Sequence, residues 1–147
     1  MRQKDIVIFD LDGTLALNEH RQHFLKQKSP DWKSFTAACI DDLPNTPIID
    51  LCNLFNCCGY KNYILSGRSA DVQKQTIKWL KEHSVFYQKL YMREVDDFRD
   101  DRIVKKEMLD KYIDKSKVAW IFDDRNKVVS MWREEGLSCL QVAEGDF

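Results

Sequence analysis

Asp10 and Asp12 stand two residues apart in Asp10-Leu11-Asp12-Gly13-Thr14-Leu15, directly after the apolar run Ile6-Val7-Ile8-Phe9. Two more polar clusters follow apolar runs in the same way: Ser66-Gly67-Arg68 after Tyr63-Ile64-Leu65, and Asp123-Asp124-Arg125 after Ala119-Trp120-Ile121-Phe122. Lys105, near the start of a predicted helix, is a fourth piece. A carboxylate nucleophile, a second carboxylate to move a proton, hydroxyls, an ammonium and an acidic pair are the parts of a phosphoryl-transfer site, where positioning and electrostatics do most of the work. Asp10 is suited to attack phosphorus and carry an aspartyl-phosphate. Asp12 is suited to protonate the leaving oxygen and then activate water. Thr14 and Ser66 offer hydroxyls to the phosphate alongside backbone N–H groups, and Gly13 permits a tight turn between them.

Carboxylates around a dianionic phosphate repel it unless a cation intervenes. A hard, oxygen-binding ion, Mg²⁺ by preference, is expected on Asp10, the backbone carbonyl of Asp12, and one or both of Asp123 and Asp124. Lys105 then neutralises Asp10 and phosphate together. Each piece alone has a plainer reading, since Asp-Gly is common in turns, Ser-Gly in loops, and a helix lysine is usually solvated. Their joint order, three pieces directly after strands and the lysine on a helix, carries the expectation.

Strand and helix signals alternate along the whole chain, predicting an α/β fold with a parallel sheet flanked by helices, whose strand ends bring these pieces to one edge. Strands are expected at about 5–10, 60–65, 88–92, 118–122 and 138–142. Thr46 reads as an N-cap with Pro47 behind it, and Ile48, Leu51, Cys52 and Phe55 recur at helical spacing until Gly59. Ser69 caps a helix whose stripe is Val72, Thr76, Trp79 and Leu80. A helix from Asp101 turns Val104, Met108 and Tyr112 inward, with Lys105 in its first turn; another carries Val128, Met131 and Trp132 to Gly136. Between about 16 and 45 lies a small cap-like insert, with a helix capped by Asp31 and Phe35, Ala38 and Cys39 on one face. Its aromatics Phe24, Trp32 and Phe35 are suited to stacking on a base, but large aromatic side chains mostly bury, and core is the preferred reading.

The 147 residues suit a single domain over 1–147 with one site and no kinase domain, since no Gly-x-x-x-x-Gly-Lys-Ser/Thr segment occurs. No apolar run is long enough to span a bilayer and no targeting peptide is visible, so a cytoplasmic setting is expected. A net charge of −1 argues against a broad basic surface and restricts nucleic-acid contact to a local patch. The five cysteines lack paired Cys-x-x-Cys spacing and read as buried, reduced thiols. Three histidines without a His-Glu-x-x-His pattern give zinc hydrolysis little support.

At these residues the chain resembles the haloacid dehalogenase (HAD) superfamily of phosphohydrolases, whose four motifs match Asp10-Leu11-Asp12-Gly13-Thr14, Ser66, Lys105 and Asp123-Asp124. The resemblance implies a Rossmann-like fold and Mg²⁺-dependent chemistry. Within the superfamily the chain looks most like the 3'-phosphatase domains of phage polynucleotide kinase/phosphatases, through Arg21, Ser66-Gly67-Arg68, Asp101 to Lys105, and the ending from Phe122-Asp123-Asp124-Arg125 to Gly145-Asp146-Phe147. It implies Asp10 as nucleophile, Asp12 as general acid and base, Arg21 and Arg68 on the substrate or its phosphate, Gly67 beside them, Asp101 with Lys105, and Asp123 and Asp124 on the metal. Plainer readings stand beside two of these: Arg21 as a solvated charge in a polar insert, and Asp101 as a helix N-terminal acid. Lys106 competes with Lys105, which is preferred because Asp101 precedes it by one helical turn.

The resemblance implies a free-standing Mg²⁺-dependent polynucleotide 3'-phosphatase acting on DNA or RNA ends, and on nucleoside 3'-monophosphates, in nucleic-acid repair. A kinase or ligase partner and, for a phage-encoded chain, the host cytoplasm are the implied setting. Two alternatives remain open: a small-molecule phosphatase of the superfamily acting on 5'-nucleotides or sugar phosphates, and a catalytically silent module that binds phosphorylated ends. No exposed heptad pattern indicates an oligomeric state.

Overall fold

A computed structural model describes residues 3–147. In chain order its regular elements are β1 (Ile6–Phe9), β2 (Ala16–Leu17), α1 (Trp32–Ala37), β3 (Leu43–Pro44), α2 (Thr46–Cys57), β4 (Lys61–Ser69), α3 (Gln73–Glu82), β5 (Lys89–Arg93), α4 (Asp101–Tyr112), β6 (Val118–Asp123), α5 (Asn126–Glu134) and β7 (Cys139–Gln141), with short 3₁₀ turns between several of them. All four residues of β1 are buried, and they alternate between two apolar clusters. Ile6 and Ile8 meet Val104, Met108 and Leu109 of α4 and Val128 and Trp132 of α5; Val7 and Phe9 meet Ile49 and Cys52 of α2 and Trp79 and Leu80 of α3. A strand covered on both faces must be apolar throughout, which is why this run shows no polar alternation.

The sheet runs β5-β4-β1-β6-β7 with every pairing parallel. The chain leaves β1 toward β4 and β5, then returns to the other side of β1 for β6. That reversal opens a crevice at the carboxyl ends of β4, β1 and β6, where α/β sheets of this Rossmann-like kind bind ligands. The antiparallel pair β2–β3 joins the two ends of the segment between β1 and α2, with Ala16 opposite Pro44 and Leu17 opposite Leu43. Among the described residues, no helix is long and apolar enough to cross a membrane.

Several local expectations are corrected. Asn45, not Thr46, holds the N-cap position of α2, and its side chain donates to the Thr14 carbonyl at 2.8 Å instead of capping. Ser66-Gly67-Arg68 continues β4 instead of forming the loop after it, with an irregular register between Ser66 and Ser69 against β5. The α4 helix is capped by Asp100, so Lys105 falls in its second turn; Tyr112 is exposed and stacks on Tyr91 at 4.3 Å. In the insert, α1 is capped by Asp31 as expected but stops at Ala37, and Ala38 and Cys39 belong to a following 3₁₀ turn. None of Phe24, Trp32 and Phe35 is core: two are half-buried and Trp32 is 63% exposed. Of the cysteines, Cys39, Cys52 and Cys139 are buried, whereas Cys57 and Cys58 are exposed.

Candidate active site

The loop after β1 is wound around one carbonyl. Leu11 O accepts from the backbone N–H groups of Thr14, Leu15 and Ala16 at 3.2, 3.0 and 2.9 Å, while Gly13 N donates to Ala16 O at 2.7 Å. Gly13 takes φ +83°, and a Cβ there would collide with the Asp124 carboxylate, so both its conformation and its surroundings require glycine. This winding holds Asp10 buried at the strand end, with Asp12 two residues on and 25% of its side chain exposed.

Asp10 sits among charges brought from two other elements, α4 and the end of β6. Lys105 Nζ, itself buried, donates to Asp10 Oδ1 at 2.7 Å and to Asp123 Oδ2 at 3.0 Å, and lies 3.7 Å from Asp101 one turn before it. Thr14 Oγ1 donates to the other Asp10 oxygen at 3.1 Å. Asp123 also accepts from Trp132 Nε1 at 3.1 Å and from the Asp124 N–H at 2.9 Å. Burial, then the neighbouring Asp123, raises the Asp10 carboxyl well above the usual range against the pull of Lys105, and burial raises Asp124 as well. Burial alone would lower the Lys105 ammonium; the carboxylates of Asp10, Asp123 and Asp101 outweigh it and keep the lysine firmly charged. Lys106 points elsewhere, pairing with Asp110 and Glu135 at 2.9 and 3.0 Å on the exposed side of α4.

One oxygen from each of Asp10, Asp123 and Asp124 lies within 4.8 Å of the others, all three residues being buried. Three carboxylates against one ammonium leave an excess negative charge that one divalent cation would balance. The donor set is oxygen only, which suits Mg²⁺ and not a thiolate- or imidazole-seeking metal. The carboxylate of Asp12 is not among these three.

Instead, the Asp12 carboxylate is gripped by two arginines. Arg21 Nη2 and Arg68 Nη2 each donate to Asp12 Oδ1 at 2.6 Å, and Arg68 Nε donates to Oδ2 at 3.2 Å. Burial would raise this carboxyl, but Arg68 first and Arg21 second hold it down at about 2. Both guanidinium groups are themselves buried and share a second anchor: Asp42, wholly buried at the end of the insert, accepts from Arg21 at 2.7 and 2.8 Å and from Arg68 at 3.1 Å. Arg68 also donates to Thr76 Oγ1 of α3 at 3.1 Å. Arg21 is therefore no solvated charge.

Ser66 is buried, and its hydroxyl accepts from the Arg68 N–H at 3.0 Å. Gly67 is a close approach: a Cβ there would collide with the Asp101 carboxylate. Arg93 ties this corner together, donating to Gly67 O at 2.7 Å, Arg99 O at 2.6 Å and Asp101 Oδ1 at 3.3 Å. Arg125 reaches Asp101 at 3.9 Å from the far side.

Asp10, Thr14, Lys105, Asp101, Asp123 and Asp124 thus converge in one part of the site, and Asp12, Arg21 and Arg68 in an adjoining part, with Ser66 and Gly67 beside both. Reasoning from sequence missed Asp42, Arg93 and Trp132. Neither Asp42 nor Arg93 has a spacing signal of its own; Trp132 shows only helical spacing with Val128, but once buried its ring N–H needs an acceptor.

A family model described as the polynucleotide kinase PNKP phosphatase domain, HAD type, matches residues 4–147. A protein of Autographa californica nuclear polyhedrosis virus named "Putative bifunctional polynucleotide kinase/RNA ligase" is 31% identical over 131 residues, covering 87% of this chain and 18% of that protein. Among solved structures, a chain of a Pnkp1/Rnl/Hen1 complex superposes with a TM-score of 0.83 and 37% identity, over 98% of this chain and 48% of that one. A chain of the Pnkp1/Rnl/Hen1 RNA repair complex gives 0.82 and 38%, over 97% and 43%. The chain therefore spans less than half the length of each of these relatives. A haloacid dehalogenase-like hydrolase from Streptococcus pneumoniae, at 20% identity and a TM-score of 0.67, shares the fold.

Proposed function

The chain belongs to the HAD-type family of polynucleotide kinase PNKP phosphatase domains, and on that premise we propose that it hydrolyses phosphate from the 3' ends of DNA or RNA, and from nucleoside 3'-monophosphates. The observation that carries this reading is the Asp10–Lys105–Asp123 contact, a buried carboxylate at a strand end fixed at 2.7 Å by an ammonium that also bonds Asp123, the first of the acidic pair. Charge fixed in advance at the place where phosphoryl oxygens gather is what phosphoryl transfer requires.

In this reading an Asp10 oxygen attacks phosphorus, the bond to the 3' oxygen breaks, and that oxygen takes a proton from Asp12. Water then attacks the aspartyl-phosphate, gives its proton to Asp12, and releases inorganic phosphate and free Asp10. Held by both arginines, Asp12 is in the form that accepts a proton. Donating one requires a guanidinium to leave Asp12 for the substrate phosphate, which it can grip in the same forked way. Thr14, Ser66 and those N–H groups of the β1 loop that are not turned onto Leu11 O or Ala16 O contact the phosphoryl oxygens, and Asp101 keeps Lys105 in place. Asp10, Asp123 and Asp124, with the Asp12 carbonyl, would hold Mg²⁺, which when bound supplies positive charge to the phosphate. The insert over about 16–45 serves as a small cap on the domain formed by 1–147. By likeness to the Pnkp1/Rnl/Hen1 complexes, a kinase or ligase module is the partner proposed.

The test is phosphate release with Mg²⁺ from matched oligonucleotides bearing a 3'- or a 5'-phosphate, with Asp10→Asn in parallel. Release from the 3' end alone, lost in a variant that melts normally, is the expected result. Full activity in Asp10→Asn overturns the mechanism, and release only from small phosphoesters overturns the substrate. Independently of turnover, Mg²⁺ should raise the melting temperature of the wild type and not that of Asp124→Asn, since a ligand at about a hundred times its Kd stabilises by about 2.7 kcal/mol.

A further inference from the structure

Trp32, the first residue of α1, is 63% exposed, whereas Trp79 and Trp132 are 1% and 0% exposed. Large aromatic rings ordinarily bury, and among the described residues the one ring packed on Trp32 is Phe35, which leaves its other face open. Its other side is engaged. Trp32 meets Phe35 edge to face, with ring centroids 5.8 Å apart and planes at 83°. The Arg21 guanidinium lies 4.4 Å from the Phe35 ring centre and donates to the Phe35 carbonyl at 3.2 Å. The same guanidinium is 2.6 Å from Asp12. An exposed indole is thus coupled through one ring to an arginine that touches the proposed acid–base residue.

The segment that carries Trp32 also differs in charge from the carboxylate-lined site. Lys26, Lys28 and Lys33 are all exposed and make no ion pair among the described residues. The acid between them, Asp31, caps α1, accepting from Ser34 N at 3.0 Å, and feels the Lys33 charge without forming an ion pair with it. Unpaired lysines interleaved with an open aromatic face are the components of a single-strand platform, where bases stack without regard to sequence and phosphates meet ammonium groups.

We propose that Trp32 is the stacking platform for an unpaired base of the strand whose 3'-phosphate occupies the site, with Lys26, Lys28 and Lys33 along that strand's backbone. The proposal rests on the polynucleotide reading above. It assigns the insert a role in substrate length selection, because a mononucleotide in the site gains nothing from a platform that receives a further base.

The test compares kcat/KM for a nucleoside 3'-monophosphate with that for 3'-phosphorylated single strands up to about eight nucleotides, a length within the usual site sizes. In wild type the ratio of oligonucleotide to mononucleotide should exceed one. In Trp32→Ala that ratio should fall about 5- to 150-fold, as expected for loss of one base–aromatic stack, mainly through KM, and Trp32→Phe should restore part of it. In parallel, an unphosphorylated octanucleotide should quench tryptophan emission in wild type, and less so in Trp32→Phe. An unchanged ratio in Trp32→Ala overturns the platform and leaves the 3'-phosphatase reading standing. Quenching at Trp32 without release from any oligonucleotide overturns that reading and leaves the platform. Neither release nor quenching overturns both.

Discussion

Asp12 and Asp42 share the same two guanidinium groups. Arg21 and Arg68 each reach Asp12 Oδ1 at 2.6 Å through the same nitrogens that hold Asp42 Oδ2 at 2.8 and 3.1 Å. Of the two acids, Asp42 is wholly buried and Asp12 faces the mouth, so Asp42 is the fixed anchor and Asp12 the working end. The insert enters the site through this anchor, since Arg21 and Asp42 both belong to it.

Asp42→Ala should therefore be among the more destabilising single changes outside the apolar core. Removing one partner of a buried pair leaves the other charge uncompensated, at a cost of about 3–5 kcal/mol. Urea unfolding would read this loss directly. Asp42→Asn, which keeps one acceptor oxygen for the arginines, should lose less, and a similar loss in both would show that hydrogen-bond acceptance alone does not hold the fork.

Lys105 and Lys106 are neighbours with opposite surroundings. Lys105→Met leaves Asp10 and Asp123 buried without their cation and should lower phosphate release on the order of 10²- to 10³-fold, the cost of removing one preorganised charge from such a site. Lys106→Met removes only exposed pairs with Asp110 and Glu135 and should leave turnover at the wild-type level. Steady-state kinetics on the two variants side by side decides between the lysines; equal losses would mean that α4 as a whole, and not the Lys105 ammonium, supports the reaction.

Thiol chemistry should divide the cysteines. Cys57 and Cys58 are exposed and should react with a thiol reagent in the native state, while Cys39, Cys52 and Cys139 react only on unfolding. Burial pushes Cys52 up to about 12, so the folded chain keeps a proton that the unfolded chain releases near pH 9. Its contribution is fully present below about pH 9 and declines as pH rises toward 12, by up to about 1.4 kcal/mol per unit. Chemical denaturation across that window should show a shallower decline for Cys52→Ala than for wild type, and parallel curves would refute the assignment.

Much of the fold was legible because a parallel sheet leaves long apolar runs, and Ile6-Val7-Ile8-Phe9 and Ala119-Trp120-Ile121-Phe122 are unmistakable by composition. The Asp31 cap of α1 and the turn at Gly13 were legible for a local reason, since an acceptor side chain and a positive φ act within a few residues. The shift of the α2 cap from Thr46 to Asn45 was not, because either residue type suits the position and the choice follows the tertiary bond from Asn45 to Thr14. Tyr112 was misplaced for a related reason: helical periodicity turned it inward, but the helix end leaves it stacked on Tyr91 at the surface.

By itself the sequence determined the apolar strand runs that lead into Asp10, Ser66 and Asp123, because hydrophobic runs and the polar residues that interrupt them are set locally. Only the tertiary structure decided which charges face one another. Lys105 lies 95 positions from Asp10 and Arg68 lies 56 from Asp12, and Asp42 and Arg93 acquire their partners through packing alone. A side chain's type states what it can bond, but the direction it points depends on how its helix or insert settles on the sheet. That settling is governed by burial summed over the whole core, and no single motif encodes it.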